Sequence, residues 1–151
     1  MADVGLDLAT KTGVAICDGG RIETIAWQFI GDHPASRFVG LRDALACLSD
    51  DYDVQRVSIE LPARLRSGPA IAALYGLQAV ALMWCFDHGY ELHRFQPSQV
   101  KRHATGNGRA KKADMYVAAR RRWPDVVPES YDVSDAMWVL DMLPKDADAE
   151  S

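Results

Sequence analysis

The hydrophobic positions of the first thirty residues fall into three short runs separated by polar breaks. The runs are Val4–Leu8, Val14–Cys17 and Ile22–Ile30, and each is rich in residues that favour β-structure. The second and third runs are joined by the sequence DGGR, which has the composition of a hairpin turn because glycine adopts positive φ at little cost. This pattern predicts a three-stranded antiparallel meander.

After the meander, helical spacing alternates with single strands. Leu41, Leu45 and Leu48 recur at intervals typical of a helix and predict one from about Ser36 to Ser49. The elements predicted after it are a strand at Val54–Leu61, a helix at Gly68–Phe86, a strand at Glu91–Phe95, and helices at Ala110–Trp123 and Val133–Leu143. This order predicts an α/β fold with a mixed five-stranded sheet and helices on both faces, which is the order of the ribonuclease H-like fold.

The length of 151 residues fits one domain, which we expect to span residues 1–143. Residues 144–151 have the composition of a frayed acidic tail. The stretch Gly68 to Phe86 carries no charge and is long enough to span a membrane. Gly76 and Gln78 interrupt it, and Ser67 with Pro69 suits a helix start in water. We interpret it as a helix buried in the core or against a second subunit.

The cysteines Cys17, Cys47 and Cys85 are odd in number, far apart and set among apolar residues. Disulfide frameworks and zinc sites use paired, closely spaced ligands. The pattern therefore predicts buried thiols in a reducing compartment. No basic segment typical of a signal peptide precedes the first strand, so we expect a cytoplasmic protein.

Four carboxylates stand out because of their places in the predicted elements. Asp7 interrupts an apolar strand, Glu60 lies near the end of the fourth strand, and Asp132 and Asp135 lie at the entry to the last helix. If the first and fourth strands are neighbours, these acids converge, and like charges in one cleft require cations among them. Oxygen ligands without His or Cys suit Mg²⁺ or Mn²⁺, and two such ions form a clamp for phosphodiester hydrolysis. Taken singly, Asp132 also suits helix capping and Glu60 an ordinary strand-end charge.

Charge is distributed unevenly along the chain although its net value is only −4. Nine basic residues and one acid lie between Arg94 and Arg122, whereas eight acids and one lysine follow Trp123. The basic residues that cluster around a glycine loop favour contact with a DNA backbone, although a solvated helix face is the ordinary alternative. The residues expected at this interface are Lys101, Arg102, His103, Arg109, Lys111 and Lys112, and Arg64 and Arg66 can also hold phosphates.

Four segments together carry a resemblance to a known family. The sequences GLDLATKTGVA, SIEL, QPSQVKRHATGNGRAKK and YDVSDAMWVL resemble those of the RuvC family of Holliday junction resolvases, in particular its smaller phage-type members. The resemblance extends to about Leu143 and is strongest between Gln96 and Lys112.

The resemblance implies a role for each matched position. The four acids would bind two Mg²⁺ ions, with Mn²⁺ as a substitute and Asp7 bridging both. Lys101 and Lys112 would lie at the scissile phosphate and offset the charge of the transition state. Gly106 and Gly108 would let the basic loop approach DNA closely.

The resemblance also implies a homodimer that nicks a four-way junction symmetrically, with the Gly68–Phe86 helix at the interface. It implies a role in recombination, DNA repair or phage DNA processing. The family has a longer loop with an aromatic residue after its glutamate, whereas the sequence LPARLRSGP has none. The alternatives are a ribonuclease H-like nuclease for other branched DNA or for RNA, as in rRNA maturation, and a non-catalytic protein that binds DNA structures.

Overall fold

The computed structural model describes residues 1–63 and 68–145. The elements, in chain order, are β1 (Ala2–Asp7), β2 (Lys11–Asp18), β3 (Arg21–Gln28), α1 (Ser36–Asp51), β4 (Val54–Glu60), α2 (Gly68–His88), β5 (Glu91–Phe95), α3 (Pro97–Thr105), α4 (Lys112–Arg122) and α5 (Tyr131–Asp141).

The five strands form one mixed sheet in the order β3-β2-β1-β4-β5. The first three strands pair antiparallel, as the meander pattern predicts, and β4 pairs in parallel with both β1 and β5. Leu6 of β1 is opposite Ile59 of β4, so Asp7 and Glu60 follow that pair at the same edge of the sheet. The predicted α/β fold is confirmed, and the first and fourth strands are neighbours, which is the condition for their acids to converge.

Helices cover both faces of the sheet. On one face, α1 and α2 bury Leu41, Leu45 and Leu77 against strand residues that include Leu6 and Ile59. On the other face, α5 lies across β1 and β2, and α3 and α4 pack outside it. The first turn of α5 contacts Gly13, which is opposite Asp7. The start of α5 therefore lies at the sheet edge that carries Asp7 and Glu60.

Two glycines allow α5 to lie directly on the strands. A Cβ atom at Gly13 would collide with the backbone carbonyl of Asp132, and one at Gly5 would collide with that of Ala136. Gly13 is also the residue opposite Asp7 in the β1–β2 ladder. The glycines therefore set the distance between the last helix and the carboxylate of the first strand.

Among the described residues, α3 is a helix in a basic stretch to which the sequence pattern assigned no element. Its start is set by Gln96, whose backbone N–H donates to Gln99 Oε1 at 2.8 Å, and by Pro97 in the first turn. It ends at Gly106, whose φ of 79° suits glycine after a helix.

The cysteine prediction needs correction. All three thiols are free, but only Cys85 is buried, while Cys17 is half-buried and Cys47 on α1 is exposed. Cys47 has apolar neighbours in the sequence, but it lies on the solvent-exposed side of α1.

Helix α2 begins at Gly68, and the proposed capping residue Ser67 lies outside the described residues. By length and composition α2 could cross a membrane, and 28% of its most apolar window is buried. Leu77, Ala81, Trp84 and Cys85 join the core, whereas Tyr75, Met83 and Phe86 are exposed. Helix α2 is therefore partly integrated in the core and partly apolar on its surface.

Candidate active site

Three of the predicted acids meet at one edge of the sheet. Asp7 ends β1, Glu60 ends β4, and Asp135 lies in the second turn of α5. One carboxylate oxygen from each lies within 4.8 Å of the others. Residues far apart in the sequence are thus brought together by the parallel β1–β4 pair and the glycine contacts of α5.

Asp132, the fourth acid, is at the side of this cluster. Its Oδ1 lies 4.0 Å from Nζ of Lys112. The side-chain cap of α5 comes instead from Ser130, whose Oγ accepts from the backbone N–H of Val133 at 3.2 Å. Asp132 is therefore available to balance Lys112 at the entrance to the cluster.

Burial and mutual repulsion raise the pKa values of the clustered acids. Burial raises the pKa of Asp7 well above its usual value, and the charges of Glu60 and Asp135 raise it further. Burial and then Asp135 raise the pKa of Glu60 from 4.5 to about 7, against the lowering effect of Lys101 and Lys112. Two lysines are not enough to neutralise the group, which is the electrostatic state expected of a site that binds cations.

Asp135, the third acid of the cluster, also has a raised pKa. Burial raises the pKa of Asp135 from 3.8 to about 6, partly opposed by Lys112. Its Oδ1 is buried and has no hydrogen-bond partner among the described residues. Buried polar atoms are usually paired, so an unpaired carboxylate oxygen beside two other carboxylates fits a metal ligand.

A cavity of about 250 Å³ opens over the carboxylates. Its wall includes all six residues that the sequence suggested for catalysis: Asp7, Glu60, Lys101, Lys112, Asp132 and Asp135. Apolar residues, among them Leu74 and Met115, complete the wall. The cavity therefore combines anionic oxygens with two cationic side chains on a partly apolar surface.

Two residues that stabilise the backbone near the carboxylate cluster were not predicted from the sequence. Nε2 of Gln78, on α2, donates to the backbone carbonyl of Glu60 at 2.9 Å. Oγ1 of Thr12 donates to the carbonyl of Ala9 at 2.6 Å and orders the turn after Asp7. Gln78 had a visible signal, because it is a lone amide in an uncharged helix, but its partner depends on the tertiary fold.

The basic residues of α3 and α4 surround the loop between these helices. Arg102, Arg109 and Lys111 are exposed there, and Oδ1 of Asn107 accepts from the N–H of Arg109 at 2.9 Å. Gly106 has positive φ, and Gly108 lies beside the Arg102 side chain. Arg64 and Arg66 lie outside the described residues.

The remaining interface candidate, His103, already has a protein partner. Its Nε2 lies 2.7 Å from Oδ2 of Asp141, and its ring meets that of Trp138 edge to face. His103 is exposed and lies at the far end of α5 from the carboxylate cluster. A phosphate contact from His103 would compete with Asp141.

Comparison with known proteins places this arrangement in a family. The family model of the crossover junction endodeoxyribonuclease RuvC matches residues 4–140. A RuvC from Prosthecochloris aestuarii is 27% identical over 135 residues, covering 86% of this chain and 72% of that protein. A RuvC from Ruegeria pomeroyi is 24% identical over 143 residues, covering 91% and 87%.

Solved structures give the same result for the fold. Thermus thermophilus RuvC in complex with a Holliday junction substrate superposes with a TM-score of 0.79 at 17% identity, covering 93% of this chain and 90% of that one. The yeast mitochondrial Holliday junction resolvase Ydc2 superposes with a TM-score of 0.59 at 11% identity, covering 91% and 75%. With the family match over most of its length, the chain belongs to the RuvC family of crossover junction endodeoxyribonucleases and is a phosphodiester-cleaving hydrolase.

Proposed function

We propose that this protein is a metal-dependent endonuclease that nicks four-way DNA junctions, with Mg²⁺ as its physiological metal. The observation that carries the proposal is the convergence of Asp7, Glu60 and Asp135 within 4.8 Å beside Lys101 and Lys112. The relatives named above supply the substrate class, because they are crossover junction nucleases and one was solved with a Holliday junction.

The donor set supports a hard divalent cation. The cluster offers carboxylate oxygens and no His or Cys, which suits Mg²⁺ or Mn²⁺ better than zinc. We propose that Asp7, Glu60, Asp132 and Asp135 would hold two such ions. When bound, the ions supply an activated water and stabilise the departing oxygen of the phosphodiester.

The protein's own groups then have distinct tasks. Glu60 and Asp135 must lose their protons before they can bind a metal ion. Because their pKa values are raised, we expect metal binding to strengthen as the pH approaches neutrality. Lys101 and Lys112 place positive charge where the phosphate gains negative charge in the transition state. Hydrolysis breaks the bond between phosphorus and the 3′ oxygen, leaving 5′-phosphate and 3′-hydroxyl ends.

The exposed basic residues of the α3–α4 loop support binding to the DNA backbone. Arg102 and Lys111 are exposed and adjacent in sequence to Lys101 and Lys112, which line the cavity. Arg109 is exposed in the loop between the two helices. Contacts of this kind neutralise phosphates, so we expect affinity for branched DNA to fall steeply with salt.

We further propose that α2 forms the interface of a homodimer in a water-soluble, cytoplasmic protein. Tyr75, Met83 and Phe86 present apolar surface along this helix, with Phe86 87% exposed. A second copy would cover that surface and provide the second active site for a symmetric pair of nicks. Sedimentation should give a dimer for the wild type and a monomer for Met83→Glu combined with Phe86→Glu.

A cleavage assay on defined DNA tests the proposed function. Purified protein is incubated with end-labelled four-way junction, Y-fork and linear duplex, in Mg²⁺ or in EDTA. We expect nicks in the junction only with Mg²⁺, and none from Asp7→Asn. Equal cutting of linear duplex would exclude the resolvase function, and activity in EDTA would exclude the metal mechanism. Preference for the fork or for RNA would favour the other ribonuclease H-like nucleases.

A further inference from the structure

A pair of tyrosines lies beside the carboxylate cavity and has no part in the chemistry proposed above. Tyr131 is the first residue of α5, immediately before Asp132, and is 47% exposed. Tyr116 of α4 is half-buried. The two ring centroids are 5.7 Å apart with an interplanar angle of 68°, an edge-to-face contact.

The contacts between α4 and α5 place this pair close to the reacting phosphate. Lys112 and Tyr116 are four residues apart on α4 and so share one side of that helix. Lys112 lines the cavity and lies 4.0 Å from Asp132, while Tyr116 meets Tyr131. The tyrosine pair is therefore about one helical turn, or roughly 6 Å along α4, from the cavity wall.

That separation is comparable to the size of one nucleotide. If the phosphate of a bound strand lies between Lys101 and Lys112, a neighbouring base would come within reach of the tyrosine pair. The edge-to-face contact with Tyr116 fixes the orientation of Tyr131, so that little rotamer freedom remains to be lost on binding.

We propose that Tyr131, held by Tyr116, is a stacking site for an unpaired nucleobase next to the scissile phosphate. This proposal rests on the proposed nuclease function and adds a source of selectivity to it. In a continuous duplex each base face is already covered by its neighbours, whereas a base at a branch point can be exposed. Aromatic side chains stack on such bases with little preference for sequence.

The proposal predicts a specific pattern of affinity in the cleavage-deficient Asp7→Asn background with Mg²⁺ present. Tyr131→Leu should weaken binding of a fluorescent four-way junction by about tenfold, the size of one stacking contact. Tyr131→Trp should retain affinity because it keeps an aromatic face. Val117→Ala should leave affinity unchanged. Val117 lies on the same helix as Tyr116, and its exposed fraction of 48% is close to the 47% of Tyr131.

Abasic substitutions then locate the base. One base at a time is removed from the nucleotides that flank the cut, and each junction is titrated with two proteins, the Asp7→Asn variant and the same variant carrying Tyr131→Leu. At one position the abasic junction should lose affinity for the protein that retains Tyr131 but not for the one with Tyr131→Leu. Equal losses for the two proteins at every position, or equal affinity of the two proteins for the intact junction, would overturn the stacking site.

A parallel cleavage reaction separates this proposal from the function on which it rests. Wild-type protein that nicks the junction while Tyr131→Leu shows unchanged affinity would refute only the stacking site. Wild-type protein that neither binds nor nicks branched DNA would refute both. Thermal melting of each variant identifies a mere packing role, in which Tyr131→Leu lowers stability with no change in affinity.

Discussion

Each end of the β1–β4 pair carries an aspartate on β1, but the residue beside it on β4 has the opposite charge at the two ends. At one end, Asp3 is opposite Arg56, whose Nε and Nη2 donate to its carboxylate at 2.9 and 2.6 Å. At the other end, four residues further along both strands, Asp7 is next to Glu60. One end pairs a carboxylate with a guanidinium, and the other pairs it with a second carboxylate.

The difference separates a structural use of aspartate from a functional one. Asp3 finds its counter-charge within the fold, and its bidentate contact joins the two strands. Asp7 faces Glu60 and Asp135, and burial together with their repulsion raises its pKa. At the second end, Lys101 and Lys112 only partly offset the gathered negative charge, a condition that favours a bound cation.

The largest expected effect is on catalysis and comes from Asp7→Asn. Removing this charge should lower the rate of junction cleavage on the order of 1,000-fold, because it removes a proposed metal ligand. Single-turnover cleavage in Mg²⁺ measures the loss. The matched variant Asp3→Asn should keep its cleavage rate and lose about 2 kcal/mol of unfolding free energy, since a charged hydrogen-bond pair is broken. Equal rates for the two variants would contradict the distinction between the ends.

A second test moves α5 away from the strands. Gly13→Ala places a Cβ against the carbonyl of Asp132, so the helix must shift and the carboxylates separate. We expect a loss of cleavage of about 100-fold, comparable to a misplacement of about 1 Å in an active site. Gly20→Ala, at the far end of β2, meets no neighbouring atom but has a φ of 80°, so it should affect stability alone. Mn²⁺ affinity by calorimetry distinguishes the two variants.

A smaller effect should follow loss of the hydrogen bond that holds the end of β4. Gln78→Met keeps the volume of the side chain but cannot donate to the carbonyl of Glu60. We expect Mn²⁺ affinity to fall about tenfold, within the range for supporting residues of metal ligands. Unchanged metal affinity in Gln78→Met would limit Gln78 to a packing role.

The smallest expected effect is a pH dependence of stability in the metal-free protein. Glu60 and Asp135 have pKa values of about 7 and 6 in the folded state, above their usual 4.5 and 3.8. The folded state therefore binds more protons than the unfolded state between about pH 4 and 7, and stability falls as pH rises through that window. Thermal melts in EDTA should show a decrease of a few degrees between about pH 5 and 8.

Two comparisons isolate the cluster in those melts. Glu60→Gln should show a weaker decrease than the wild type, because one of the titrating groups is gone. Addition of Mg²⁺ at about pH 8 should raise the melting temperature of the wild type by mass action. A wild type that becomes more stable as pH rises through this window in EDTA, relative to Glu60→Gln, would show that the carboxylates do not repel one another in the fold.

Much of this architecture was predictable because local pattern and global fold agree. The alternation in β1 to β3 and the glycine turn specify the meander, and Asp7 is conspicuous because a charge interrupts an apolar run. The carboxylate cluster followed once β1 and β4 were assumed to be neighbours. That assumption came from the order of elements, and the structure confirms it.

The parts that were missed depend on partners distant in the sequence. Gln78 looked like an interruption of an apolar helix until the fold placed it against Glu60. Helix α3 was missed because its residues were considered for their charge and not for helical spacing, although Pro97 and Gly106 mark its two ends. Cys47 was predicted to be buried because neighbouring residues are apolar, and the prediction ignored which side of α1 it occupies.

The late position of α5 has a consequence for protein synthesis. Asp7 and Glu60 are synthesised early, but Asp135 and the rest of α5, which packs on the strand glycines, are made more than seventy residues after Glu60. A nascent chain that has not reached α5 carries only part of the carboxylate set. If the proposed carboxylate set is needed for cleavage, we expect a chain that still lacks α5 to be inactive as a nuclease.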